Sequence, residues 1–243
     1  MFNLARFVLL LLLAATSGRA ASSLEHARRA QALLGSDVWS QVLRIENASR
    51  GGRYPHTVHA LVFELAGLLW FYTDSNGTQS FSLHRDRVAE EKADFAPLLH
   101  DIEPGFARWS VVTGPPPRIS HPRPPLPNAC FIESVAALRA RLTANAPARN
   151  ARLLSYYTGT RTGTNGHTVL AYENGNVVEI LDPAQPGRVF RFPLADSTDP
   201  LALARHIEGP EVARARVLAL NPVGSTAIAA ATRASGNKSE VPM

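Results

Sequence analysis

The chain has little or nothing of several features that would define its class directly. It holds one cysteine in 243 residues, Cys130, so an intramolecular disulfide is excluded. It has no glycine-rich phosphate-binding loop and no internal repeat. Lysine and arginine do not form a block with interleaved aromatic residues, which argues against nucleic-acid binding although the formal net charge is +5. The apolar run near the N-terminus is shorter than the roughly 20 residues that a membrane-spanning helix needs.

The first twenty residues have the pattern of an export signal. Arg6 provides a positive start, residues 7–15 are apolar, and residues 17–20 form a small-residue cleavage site before Ala21. We expect export to the periplasm or the outside, with no stable membrane anchor after cleavage; an uncleaved anchor is the alternative. Removal of Arg6 and Arg19 lowers the formal net charge from +5 to +3 (5 − 2). In an oxidising compartment a free thiol is either buried and inert or retained for its chemistry.

The spacing of apolar residues predicts an α+β protein in two parts. The first is a β-rich accessory domain over 21–113, with helices over 24–34 and 86–100 and strands at 38–45, 57–65, 68–73, 78–83 and 107–113. Residues 114–127 hold seven prolines, a density that excludes helix and central strand. We therefore predict a proline-rich linker there and a second domain over 128–220.

The second domain is predicted to begin with a helix that Asn128 caps. The strands predicted after it are 152–158, 168–172, 177–181, 188–192 and 215–220, with a helix over 200–206. Asn174-Gly175 predicts a tight hairpin between two of these strands. Residues 221–243 are small and polar, and we predict a disordered tail.

Three residues of this domain suggest thiol chemistry. Cys130 falls in the first turn of the predicted helix, and a helix N-terminus or a nearby imidazolium lowers the pKa of a cysteine. His167 begins one strand of the Asn174-Gly175 hairpin and Asp182 ends the other, so both fall at the same end, where a carboxylate can orient an imidazole. Each has a plainer alternative: a packing cysteine, a surface histidine and a turn aspartate.

Three motifs, Asn128-Ala129-Cys130, Gly166-His167-Thr168-Val169-Leu170 and Leu181-Asp182-Pro183, carry a family resemblance that extends over about residues 126–195. This set resembles bacterial transglutaminase-like cysteine peptidases and, more broadly, papain-fold peptidase domains, including those of the double-glycine type. The resemblance implies a papain-like or transglutaminase-like domain in which Cys130 is the nucleophile, His167 the general base and acid, and Asp182 the orienting carboxylate. It implies a peptide or protein substrate, without a cofactor or a metal.

One position departs from the family pattern. Residues 118–129 contain no glutamine to complete an oxyanion hole, so backbone N–H groups, Asn128 or Gln79 would supply the donor. The first hypothesis is therefore an exported acyl-transfer enzyme, and the alternative is a non-catalytic binding or envelope-associated module of the same fold. A third is a flavin-binding split barrel, suggested by the aromatic strands at 60–65 and 69–73. His56 and His59 point to opposite faces of a strand, so no metal site is predicted. The oligomeric state stays open.

Overall fold

The computed structural model describes residues 23–47, 56–82, 94–102, 105–114, 125–160 and 163–220. They belong to two compact units, Met1–Ala136 and Ala137–Met243. The division falls inside the helix that begins at Cys130. Most of the predicted linker, 114–127, lies outside the described residues. Cys130 therefore belongs to the unit that contains the first sheet.

The first unit is a five-stranded antiparallel sheet with helices beside it. Its elements are α1 over 23–34, β1 Ser40–Asn47, β2 His56–Leu65, β3 Leu68–Thr73, β4 Gly77–Ser82, α2 Ala96–Ile102, β5 Phe106–Val111 and the start of α3 Cys130–Thr143. The strand order is β4-β3-β2-β1-β5. Short turns join β2 to β3 and β3 to β4, and the sequence predicts these strands from apolar runs bounded by turn residues.

The core of this unit lies on both faces of its sheet. Ile45, Val62 and Phe71 lie on one face of the sheet. Leu99 of α2 and Phe95, just before α2, pack against them in the same buried cluster. Aromatic residues of β2 and β3 lie on the other face and are equally buried. A sheet that is apolar on both faces explains the continuous apolar runs of these two strands.

The second unit is also a five-stranded antiparallel sheet. It contains the second half of α3, then β6 Arg149–Thr160, β7 Gly163–Asn174, β8 Val177–Leu181, β9 Val189–Pro193, α4 Pro200–Glu208 and β10 Val212–Ala219. The strand order is β10-β6-β7-β8-β9. Asp199 caps α4, because its carboxylate accepts a bond from the backbone N–H of Leu201 at 2.9 Å.

The two faces of the second sheet are covered by different helices. Leu203 and Ala204 of α4 pack in one cluster with Tyr156, Val169 and Ile180; we call this side the α4 face. The opposite side is the α3 face, where the guanidinium of Arg141 in α3 lies 4.1 Å from the ring centre of Tyr172. Successive strand residues alternate between these two faces.

The predicted α+β class is confirmed as two antiparallel sheets with few helices. Strands β6 and β7 extend beyond the predicted ranges 152–158 and 168–172, as far as the paired residues Thr160 and Gly163. The residues in this extension show no apolar alternation, so the sequence pattern did not predict it. The signal segment, the tail 221–243 and residues 86–93 of the predicted helix lie outside the described residues. Within the described ranges, no helix has the length and apolar character needed to cross a membrane.

Candidate thiol site

Cys130 is the first residue of α3 and is partly exposed. The first helical hydrogen bond runs from the backbone N–H of Glu133 to the carbonyl oxygen of Ala129, at 2.9 Å. Ala129 therefore occupies the N-cap position, and the prediction that Asn128 caps the helix is wrong. Asn128 has a φ of +53°, whereas an N-cap residue has extended backbone.

The side chain of Asn128 bonds to the β3–β4 turn instead. Its Nδ2 donates to the carbonyl oxygens of Asp74, at 2.9 Å, and Ser75, at 3.4 Å. Gly77 permits this approach, since a Cβ there would lie 3.3 Å from the carbonyl oxygen of Asn128. The amide of Asn128 thus fixes the loop before Cys130 in place. Its role as an oxyanion donor stays a prediction.

Other contacts within the first unit hold the same loop. The hydroxyl of Tyr72 donates to the carbonyl oxygen of Pro127 at 2.8 Å. One residue after the thiol, Phe131 is buried, and its ring centre lies 4.2 Å from that of Trp70 and 6.3 Å from that of Phe63. The position of the thiol is therefore set by packing on one side and by hydrogen bonds on the other.

The donors for an oxyanion are available at the helix start itself. The first backbone N–H groups of any helix lack partners within the helix and point out of its N-terminal end. Gln79, the other predicted donor, lies on β4 with its backbone opposite Phe71, and its side chain is outside the part of the chain that the structure describes.

His167 and Asp182 form the pair that the hairpin predicts. Nε2 of His167 lies 2.8 Å from Oδ1 of Asp182, and the two side chains are 21% and 2% exposed. The carboxylate also accepts bonds from the backbone N–H of Ala184 at 2.8 Å and from Nε2 of Gln185 at 3.1 Å. The ring of Tyr156 meets the imidazole edge to face, with 5.5 Å between centres. The imidazole is thus oriented through Nε2.

This pair belongs to the α4 face of the second sheet. His167 is directly opposite Tyr156 in the β6–β7 register, and Tyr156 is part of the α4-face cluster. The alternation along β8 gives Asp182 the same side as Ile180. Residues 137–143 of α3 belong to the second unit, and their Arg141 lies over the α3 face. Asp182 and His167 are brought together, therefore, on the side opposite to that part of the helix.

Two features of the site region were not predicted from the sequence. Gln185 follows Asp182 in the same turn, and Nη1 of Arg188 donates to Oε1 of Gln185 at 2.7 Å, so the side chain that supports the carboxylate is itself held. The sequence signal for it is an aspartate-proline turn with a glutamine three residues on. The second feature is a hydrogen bond between Nδ1 of His26 and Oδ2 of Asp74, at 2.9 Å. No local signal in the sequence connects these two, because they are 48 residues apart.

In the described ranges, no three side chains of histidine, cysteine, aspartate or glutamate are grouped so that they could hold a metal ion. His59 is buried, and its Nδ1 lies 2.9 Å from the hydroxyl of Ser23. The side chain of His56 lies outside the described part of the chain.

Comparison with known proteins gives no relative from which a role could be transferred. A scan against protein-family models, a search of curated proteins and a search of solved structures each found no match to this chain. Functional assignment therefore depends on the chemistry of the side chains.

Proposed function

We propose that this chain is an exported, thiol-dependent acyl-transfer enzyme of papain-like or transglutaminase-like type, which acts on peptide or isopeptide bonds. Cys130 is its nucleophile. The observation that carries the proposal is the setting of Cys130, a partly exposed thiol at the first position of a helix. Three hydrogen bonds from Tyr72 and Asn128 hold the loop that presents it. A purely packing cysteine would need neither the exposure nor the held loop.

The reaction takes place in two steps. An imidazole accepts the thiol proton, the sulfur attacks the substrate carbonyl carbon, and a C–S bond forms. The backbone N–H groups at the start of α3 stabilise the oxyanion. The C–N bond then breaks, and the imidazolium gives its proton to the leaving amine. Water or a second amine attacks the thioester, the C–S bond breaks, and the thiol is restored with release of an acid or an amide.

The sequence prediction gives the role of the base to His167 and the orienting role to Asp182. Their hydrogen bond, with the carboxylate buried and bonded three times, has the geometry that this role needs. The assignment requires the His167 imidazole to accept the proton of the Cys130 thiol during catalysis.

The test is the pH dependence of alkylation by iodoacetamide. Cys130 is the only cysteine, so the label reports on this thiol alone. An ordinary thiol with a pKa of about 8.5 is only about 1% ionised at pH 6.5, and its rate falls about 100-fold from its plateau at high pH. We expect a fall of less than about fivefold between pH 9.5 and 6.5 if the thiol is activated. A full 100-fold fall would contradict the proposal, and Cys130→Ser provides the blank.

A second candidate function is a non-catalytic binding module of the same fold. The observation in its favour is that His167 and Asp182 belong to the α4 face, whereas the second half of α3 lies over the other face. In that case the pair is structural and joins β7 to the turn after β8. The module predicts an ordinary alkylation profile that His167→Ala leaves unchanged.

A further inference from the structure

Strand β10 is an open edge of the second sheet. The order β10-β6-β7-β8-β9 gives β10 only one neighbouring strand among the residues that the structure describes. The other edge strand, β9, has five residues and ends in Pro193, whereas β10 contains no proline and pairs in one unbroken register from Arg214 to Ala219. A long edge without proline is a template on which another strand can pair.

The register of β10 determines which of its backbone groups point away from the sheet. The N–H of Leu220 donates to the carbonyl oxygen of Ala151 at 2.9 Å, and Leu220 continues the register in which Ala219 is opposite Arg152. In an antiparallel pair, residues that bond to the neighbouring strand alternate with residues that do not. The backbone N–H and C=O groups that point to the open side therefore belong to Ala215, Val217 and Ala219.

The side chains of β10 form one apolar row and one basic row. Ala215 packs against the cluster of the α4 face, and Val217, which is 42% exposed, has the same side by alternation. Arg214 and Arg216 have the α3 face, and both are exposed. A strand added at this edge would meet arginine on one face and small apolar side chains on the other.

Both guanidinium groups are held by Tyr157 of β6. The guanidinium carbon of Arg214 lies 4.3 Å from the ring centre of Tyr157, and Nη2 of Arg216 donates to the tyrosine hydroxyl at 2.9 Å. The ring itself lies over Gly166, where a Cβ would be 3.0 Å from Cε1 of Tyr157. Stacking uses the flat face of a guanidinium and leaves N–H groups at its edge for a carboxylate. Within the described ranges, neither arginine forms an ion pair.

We propose that the open edge of β10 binds an extended peptide segment in which acidic and apolar residues alternate. The backbone of the segment bonds to the outward N–H and C=O groups of β10. Its carboxylates lie beside Arg214 and Arg216, and its apolar side chains lie beside Val217. This binding does not depend on the chemistry of Cys130.

Charge favours this occupant over two others. An antiparallel pair of β10 strands from two copies of the chain would bring the arginines of both copies onto one face, where like charges repel. The side chains of residues 221–243, which follow β10, sum to +1, since Arg233 and Lys238 stand against Glu240 (2 − 1). That segment therefore does not supply alternating carboxylates.

The test is the fluorescence anisotropy of a labelled peptide in which glutamate and valine alternate, titrated with the protein. A peptide of the same composition, with all glutamates in one half, is the control for charge alone. We expect the alternating peptide to bind at least about tenfold more tightly, because only alternation puts every carboxylate on the face of the arginines. Equal affinity for the two peptides, or no binding of the alternating one, would overturn the proposal.

Val217→Pro tests the backbone pairing. It removes an N–H that points to the open side and leaves the bonds between β10 and β6 in place. We expect it to weaken binding by at least about tenfold, whereas the control Val217→Ile, which keeps the N–H, should change binding by less than about twofold. Unchanged binding in Val217→Pro would count against strand addition. A wild-type dimer that Val217→Pro abolishes would assign the edge to a second copy and overturn the proposal.

Arg214→Gln and Arg216→Gln test the charge without a change of backbone, even if Val217→Pro does not fold. We expect each to weaken binding about two- to fivefold, the range for an exposed ion pair. Arg188→Gln is the matched control and should bind like wild type, since Arg188 is exposed and lies 4.3 Å from the ring centre of Phe190, beside the opposite edge of the sheet. Unchanged binding in the double variant would overturn the proposal. These measurements leave the proposed role of Cys130 untouched.

Discussion

Replacement of Glu179 tests the internal structure of the second sheet quantitatively. Glu179 lies on β8 and is 6% exposed. Its Oε2 accepts a hydrogen bond from the hydroxyl of Tyr172 at 2.7 Å, and its Oε1 accepts one from Nε of Arg191 at 3.0 Å. The bond from Tyr172 is the main cause that holds the pKa of Glu179 below its ordinary value, against the opposite effect of burial.

The expected loss of stability follows from these two bonds. A hydrogen bond to a charged acceptor is worth about 1.5–3 kcal/mol, and Glu179→Ala also removes the acceptor of the buried Tyr172 hydroxyl. The side chain of Arg191 is 67% exposed. Its ion pair therefore adds only about 0–1 kcal/mol. We expect Glu179→Ala to lower the free energy of unfolding by about 2–4 kcal/mol in total.

The same carboxylate predicts a pH dependence with a definite sign. Because the folded-state pKa lies below the ordinary value of 4.5, ionised Glu179 stabilises the fold above that pH, and its contribution is lost as the pH falls through the folded pKa. Glu179→Gln does not titrate. The difference in unfolding free energy between wild type and Glu179→Gln should therefore be constant from pH 7 to about pH 5 and become smaller at lower pH.

The assay is urea unfolding of the protein, followed by circular dichroism at several pH values. Glu173→Ala is the control, since Glu173 lies on the same hairpin and accepts a bond at 2.8 Å from Asn150 in an exposed position. It should cost less than about 1 kcal/mol. Equal losses for Glu179→Ala and Glu173→Ala, or a difference from Glu179→Gln that does not change with pH, would refute the reasoning.

Three further substitutions test the loop before Cys130, the hydrogen-bonded pair of His167 and Asp182, and the packing of Phe131. Asn128→Ala should cost about 1–3 kcal/mol in urea unfolding, since it removes the bonds to the turn and puts alanine, which rarely adopts left-handed backbone, in place of asparagine, which tolerates it; it should also slow alkylation of Cys130 at pH 6.5. Asp182→Ala should cost about 2–4 kcal/mol, because the side chain of His167 and two other donors lose a buried acceptor; no loss in unfolding free energy would contradict this. Phe131→Ala should cost about 3–5 kcal/mol by the same assay, and a loss below 1 kcal/mol would mean that the ring is not part of the core.

Much of the architecture could be predicted because the signals for it are local. The Asn174-Gly175 turn fixes the register of β7 against β8, and that register places His167 and Asp182 at one end of the hairpin. Apolar runs bounded by turn residues similarly located the strands of both sheets. In each case the residues that decide the structure are neighbours in the sequence.

What the sequence could not provide depends on contacts between distant segments. The left-handed backbone of Asn128 is set by carbonyls of the β3–β4 turn, more than fifty residues earlier, so the expected cap does not form. The contact of His26 with Asp74 joins a helix to a turn, and no spacing rule predicts it. Likewise, Phe131 packs on aromatic residues of β2 and β3, which places the start of α3 with the first unit.

The central claim is that Cys130 is an activated nucleophile, and its alkylation rate at pH 6.5 relative to pH 9.5 tests it most directly. The account predicts that the wild-type rate falls by less than about fivefold between these pH values, whereas the rate of an ordinary thiol falls about 100-fold. A wild-type fall of about 100-fold would contradict it and leave a binding module with an ordinary thiol.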